Sequence, residues 1–200
     1  MTIMETLPNR PSGRPREFDR DAALDAAMRL FWRRGYEGVS FQQLTATLGV
    51  AAASLYAAFG NKAALYREAL DRYAQLRGEL CMDEASTLRE AVHLLLDDTA
   101  RGLVDPNGEI GCMLNTGMIV SHTDLAQELV QRRSAFRTLL AEKLLNWVTA
   151  PDADRLSRYI TAVIQGLAIQ ARDGYSLDEL QQAVTLALNA VPATTPLARL

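Results

Sequence analysis

The side chains best placed to do chemistry lie close together in one stretch, residues 40–62, which reads SFQQLTATLGVAAASLYAAFGNK. Ser40, Gln42, Gln43, Ser54, Tyr56 and Lys62 are hydroxyl, amide and ammonium groups. Groups of this kind recognise phosphate oxygens and base edges. A catalytic or metal-binding alternative would have to come from Cys81, Cys112, His93 and His122. Cys112 and His122 are ten positions apart, roughly 15 Å along a continuous helix, so they share neither a metal nor a thiol–imidazole pair unless the chain turns between them. A buried free cysteine and a surface histidine are the commoner explanations. The chain has no glycine-rich phosphate loop, H-E-x-x-H or G-x-S-x-G run. No catalytic residue, metal or cofactor is therefore expected.

The donors need a scaffold, and the local signals supply one. Ser40 followed three places later by Gln43 is a capping box, and Val39 before it with Leu44 after it has the spacing of a hydrophobic staple. A helix is thus expected from Phe41, with Phe41, Leu44 and Leu48 on its inner face. Gly49 ends it, because glycine alone enters a left-handed turn without steric cost. A second short helix follows, with Val50, Leu55 and Phe59 inward and Ala52, Ala53, Ser54, Tyr56 and Ala57 on its other faces. Two short helices joined by a glycine turn make a helix-turn-helix, whose second helix enters the DNA major groove.

The run ALDAAMRLFWRRGYEGVSFQQLTATLGVAAASLYAAFGNKAALYREAL carries more typed positions than the motif alone. From about Gly13 to Tyr73 the chain resembles the TetR family of one-component transcriptional regulators. The family's LY-x-x-F-x-x-K-x-x-L run falls on Leu55, Tyr56, Phe59, Lys62 and Leu65. The resemblance implies an all-α protein of about nine helices, with an N-terminal three-helix helix-turn-helix domain and a C-terminal helical ligand-binding and dimerisation domain. It further implies a homodimer that binds a palindromic double-stranded DNA operator, represses transcription and is released by a small-molecule inducer. The other reading is a helical ligand-binding sensor that does not bind a specific operator.

Carried over residue by residue, Ser40, Gln42, Gln43, Ala52, Ala53, Ser54, Tyr56, Ala57 and Lys62 occupy the DNA-contacting places. Tyr56 and Lys62 stand where phosphate contacts are made. The chain departs from richer members in the alanines of its reading helix: an alanine touches a thymine methyl but makes no bidentate bond to a base. Readout then falls on Gln42, Gln43, Ser54, DNA shape and the arm, where Arg14 and Arg16 beside Gly13 and Pro15 either enter a minor groove or belong to a solvated tail.

Asp19 is expected to cap a first helix over about 20–34, ended by Gly35. Asn61 caps a fourth that runs to about 80. Later helices are expected at 84–104, 111–122, 124–149 and 153–172, with a last one from Ser176, where Glu179 completes a second capping box. The segment DPNGEIG at 105–111 is a loop by its Pro, Asn and Gly. Domain limits follow as 1–17 for the arm, 18–63 for the DNA-binding head, 64–191 for the body and 192–200 for a disordered tail. Met113, Met118, His122, Phe136, Trp147 and Tyr159 are the pocket candidates, although such residues also build cores. Leu156, Tyr159, Val163, Leu167, Leu180, Val184 and Leu188 are read as a dimer face in the last two helices, or else as the end of the monomer core.

Composition agrees with a helical globular chain. Of 200 residues 48% are hydrophobic, and the net charge is −3. Residues 1–77 hold eleven basic against eight acidic side chains, whereas residues 78–200 hold ten against sixteen. A basic front and an acidic remainder suit a protein that meets DNA at one end. With no 18-residue apolar run and no leader segment, a cytoplasmic protein without membrane contact is expected.

Overall fold

The computed structural model describes residues 19–116 and 120–196, so Arg14, Arg16 and Met118 lie outside the described residues. Nine α-helices follow one another among these residues: α1 (Arg20–Arg34), α2 (Phe41–Leu48), α3 (Ala52–Phe59), α4 (Lys62–Arg77), α5 (Leu88–Leu103), α6 (Met113–Thr116), α7 (Thr123–Leu144), α8 (Ala150–Arg172) and α9 (Leu177–Ala187), the last continued by a 3-10 turn over Leu188–Ala190. No strand occurs among them.

The helix ends follow local chemistry. Asp19 accepts from the Ala22 N–H, Ser40 and Gln43 close the capping box, Asn61 accepts from the Ala64 N–H, and Ser176 pairs with Glu179. Gly49 sits at φ 65° and ψ 27°, the left-handed conformation that lets α2 stop and α3 start at an angle. Several boundaries differ from the sequence-based expectation, the seventh helix among them, which ends at Leu144 and not at 149. The fourth helix ends at Arg77 because Gly78 turns the chain at φ 68°. The fifth begins at Leu88 because Thr87 caps it by accepting from the Glu90 N–H. The sixth is described over Met113–Thr116. Pro151 does not follow a helix; it opens α8, in the first turn where a missing N–H costs nothing.

Two cores form. The first joins Ala27, Phe31, Leu44, Leu55, Leu65, Tyr66 and Ala69 of the first four helices to Met113, Leu125 and Leu129. Its aromatic centre is Phe31 edge-on to Tyr66 with centroids 5.0 Å apart, next to Tyr36. The head expected to end at residue 63 therefore shares its core with α4, α6 and the start of α7. The second core packs Leu88, Val92 and Leu96 of α5 against Leu140, Leu144, Ile160, Leu167, Leu180 and Val184.

This second core corrects part of the expected dimer face. Leu167, Leu180 and Val184 are 2%, 0% and 1% exposed within one chain, so they finish the monomer core and have no surface left to meet a partner. Leu156, Tyr159, Val163 and Leu188 are half-buried against the same core. The tail expected to be disordered from Pro192 is tied down as far as Thr194. Its Thr194 carbonyl accepts from the Leu88 N–H at 2.8 Å, which satisfies a donor that the start of α5 leaves open.

Candidate nucleic-acid interface

Every residue of α3 carried over as a DNA contact, Ala52, Ala53, Ser54, Tyr56 and Ala57, is exposed, while Leu55 and Phe59 anchor the helix from below. Small side chains let the helix axis approach a groove closely. Ala51 gives α3 no side-chain cap, so its first N–H groups remain available to a phosphate.

Tyr56 is half exposed, at 50%, and its ring stacks on Phe41 with centroids 4.0 Å apart and planes 18° apart. The stack fixes the phenol relative to α2, which leaves little rotamer entropy to lose when the hydroxyl meets a phosphate. Gln42 is exposed on α2. Ser40 and Gln43 are partly committed: the Gln43 N–H donates to the Ser40 hydroxyl at 3.1 Å, and the Ser40 N–H donates to the Gln43 amide oxygen at 2.8 Å. Their remaining donors, the Ser40 O–H and the Gln43 NH₂, are the parts that can reach DNA.

Lys62 opens α4, but its ammonium lies 4.0 Å from the centroid of the Tyr36 ring. Burial pulls its pKa below the ordinary lysine value, and the charge of Glu37 opposes this. The cation is thus held by the head before any phosphate arrives. Arg20, absent from the sequence-based set, crosses the head from α1: it pairs with Glu68 at 2.7 Å and lies 4.4 Å over the Phe59 ring. It links α1 to α3 and α4.

Behind the head, α4, α5, α7 and α8 enclose a cavity of about 400 Å³. Of the expected pocket residues that are described, Phe136 alone lines it. Met113 is buried in the head core, and Trp147 is buried in the body core. The Tyr159 hydroxyl donates to the Ala187 carbonyl at 2.9 Å and ties α8 to α9. His122 is exposed at the start of α7. The wall contains Tyr73, Arg77, Cys112, Thr161 and Ile164, which sequence reasoning missed. Each belongs to a stripe that reads as ordinary helix packing, and only tertiary structure separates wall from core. Burial drives the Tyr73 pKa far above the tyrosine range, and the neighbouring Cys112 thiol adds to the rise. No group of three His, Cys, Asp or Glu side chains among the described residues is close enough to hold a metal ion.

A capped helix-turn-helix presenting an exposed reading helix, backed by a helical body with its own cavity, defines a one-component DNA-binding regulator. The family profile described as bacterial regulatory proteins, tetR family, matches residues 23–69. The HTH-type transcriptional repressor ComR of Escherichia coli K12 is 34% identical over 194 residues, covering 90% of this chain and 92% of ComR. BdcR, another repressor of that strain, is 32% identical over 191 residues, covering 92% and 94%. Among solved structures, the TetR family regulator CifR, in a cysteine-substituted form with 26-base-pair operator DNA, superposes with a TM-score of 0.81 at 33% identity over 90% of this chain and 100% of CifR. The chain belongs to the TetR family. It is a DNA-binding transcriptional regulator, not an enzyme. No described helix is long and apolar enough to cross a membrane.

Proposed function

We propose that the protein is a ligand-responsive repressor that binds a palindromic operator as a homodimer in the cytoplasm and leaves it when a small molecule fills the cavity. The observation that carries this reading is the pairing of an exposed α3 face with a cavity lined by the far end of α4, the helix that also closes the head core. Tyr56 and Lys62 serve phosphates, Gln42, Gln43 and Ser54 serve bases, and Arg14 and Arg16 serve the adjoining groove or backbone.

Support for the homodimer comes from the outer sides of α8 and α9. Arg158, Ala162, Gly166 and Ile169 form an exposed stripe at three- and four-residue spacing along α8, and Leu186 is 70% exposed on α9. A glycine inside a helix costs about 1 kcal/mol relative to alanine. Within one chain nothing lies within 4 Å of where a Gly166 side chain would begin. The close approach that would explain this glycine is thus absent from the monomer and fits a second copy packed as a four-helix interface. Two heads held about one DNA turn apart then read successive major grooves. A ligand favouring another spacing releases DNA only through its differential affinity for the two states.

Selection of DNA from a random pool by the purified protein, at low and physiological salt, tests this. Recovery of an inverted repeat with half-sites about one turn apart is expected. Recovery of nothing beyond salt-sensitive, unspecific binding refutes it.

A further inference from the structure

The cavity has one end at α4, and the polar groups on its wall divide sharply by whether they are already satisfied. Leu95, Leu103, Phe136, Leu139 and Ile164 form the apolar surface. Several polar neighbours are spent: the Thr99 hydroxyl donates to the Leu95 carbonyl at 2.7 Å, Arg132 pairs with Asp71 at 2.7 Å, and Arg133 donates to the Leu114 carbonyl at 3.2 Å. Arg77, in the last turn of α4, is different. It is half-buried, its guanidinium occupies the space where a Gly102 side chain of α5 would begin, with Nη2 2.6 Å from that point and Nη1 closer still, and no carboxylate or hydrogen-bond acceptor pairs with it among the described residues. The Thr161 hydroxyl oxygen is buried on the same wall, also without a partner. The half-buried charges of the wall, Arg77, Arg132 and Arg133, are all positive, and the two acids, Glu79 and Asp98, are exposed.

From this we infer that the cavity takes an amphipathic carboxylic acid, its apolar body against Phe136, Leu139 and Ile164 and its carboxylate on the Arg77 guanidinium. A cation meets the like charges of Arg77 and Arg133 there, Arg132 being paired with Asp71, whereas a carboxylate accepts from the Arg77 fork in a planar, charge-assisted pair. A volume of about 400 Å³ is at the small end of ligand sites, which favours a short chain or a single ring. Because Arg77 belongs to α4, a ligand that recruits it pulls on the helix that carries the head. The class of ligand deepens the inducer reading above and rests on it for its regulatory meaning.

The test is calorimetric titration of the full-length protein with octanoate, decanoate and 4-phenylbutyrate, each against the alcohol and the amine of the same skeleton, with operator release followed in parallel by fluorescence anisotropy. The acids are expected to bind at least about tenfold more tightly than the alcohols, and the amines more weakly than both. Arg77→Gln is expected to erase the preference for acid over alcohol, and Arg77→Lys to keep part of it. Equal binding of acid and alcohol, tighter binding of the amine, no binding of any acid, or a preference that survives in Arg77→Gln overturns the inference. If Arg77→Gln does not fold, the acid-to-alcohol ratio of the unaltered protein decides alone. Acids that bind through Arg77 while the operator stays bound uphold the site and refute the inducer reading. Release by some other molecule, with no acid bound, does the reverse.

Discussion

The guanidinium of Arg172, the last residue of α8, donates to the Trp32 backbone carbonyl at 2.6 Å. It also reaches the Arg33 carbonyl at 3.4 Å and the Thr116 hydroxyl. The body thus satisfies carbonyls that the end of α1 leaves open, with a cation at the negative end of the helix dipole. The Trp32 indole N–H answers from the head by donating to the Gly111 carbonyl at 2.9 Å. Gly111 must be glycine: it sits at φ 84°, and a side-chain carbon there would fall 2.7 Å from Arg172 Nε.

Arg172→Ala should therefore lower stability by about 1.5–3 kcal/mol, the range for hydrogen bonds to a charged group. Arg172→Lys should recover only part, since one ammonium lacks the planar fork that spans several acceptors. Gly111→Ala should be destabilising in its own right. Chemical denaturation of the three variants checks this, and an Arg172→Ala protein as stable as the unaltered one would show that the contact is idle.

At the DNA face, Tyr56→Phe and Lys62→Ala should weaken binding to every sequence, and Lys62→Ala, which removes a charge, should reduce the slope of log affinity against log salt by about 1, whereas Tyr56→Phe should leave the slope unchanged. Lys62→Ala also loses the Tyr36 ring contact, so its melting temperature should be measured alongside. An unchanged salt slope would remove Lys62 from the set of phosphate contacts.

Gln42→Ala and Ser54→Ala should instead alter preference among sequences, with a loss of about 1–3 kcal/mol confined to particular operator positions. Affinity profiling across single-base operator variants reads this directly. A uniform loss across all variants would mean that both side chains only position the helix.

Ile169→Asp and Leu186→Asp change exposed residues and should leave the fold intact while splitting the dimer, seen as a halved mass in light scattering. Operator affinity should fall about a hundredfold or more with it. Leu180→Ala, a change in the buried core, should instead cost about 2–5 kcal/mol of stability. If the aspartate variants stay dimeric, the face lies elsewhere.

Acid should loosen one contact between head and body. Glu128 accepts from Arg67 through both oxygens, at 2.7–2.9 Å, and this holds its carboxyl below the ordinary value of 4.5. Because the folded value is depressed, the contribution of the pair is complete above 4.5 and is lost as pH falls through the lowered value. Glu128→Gln should thus cost under about 1 kcal/mol at neutral pH, both partners being about one-third exposed, and the gap should close in acid. Thermal melts of both proteins from neutral pH downward measure it.

What could be read from the chain alone was set by interactions over three or four residues. The caps at Asp19, Ser40, Asn61 and Ser176, the left-handed Gly49 and the buried Leu55 and Phe59 all follow from side chains bonding to their own backbone or recurring on one helix face. That was enough to specify the helix-turn-helix, the exposed reading face and the family. Periodicity states that a helix has an apolar side but not what covers it. Spacing thus leaves Leu180 and Val184 open between interface and core, and only packing buries them within one chain, while of the described pocket candidates Phe136 alone lines the cavity. Nor does periodicity show that Met113, Leu125 and Leu129 close the head core from far along the chain. Arg77 against Gly102, and Arg172 against Trp32 across 140 residues, exist only once four or more helices have packed. Their partners are chosen by proximity in space, for which the order of residues along one helix carries no signal.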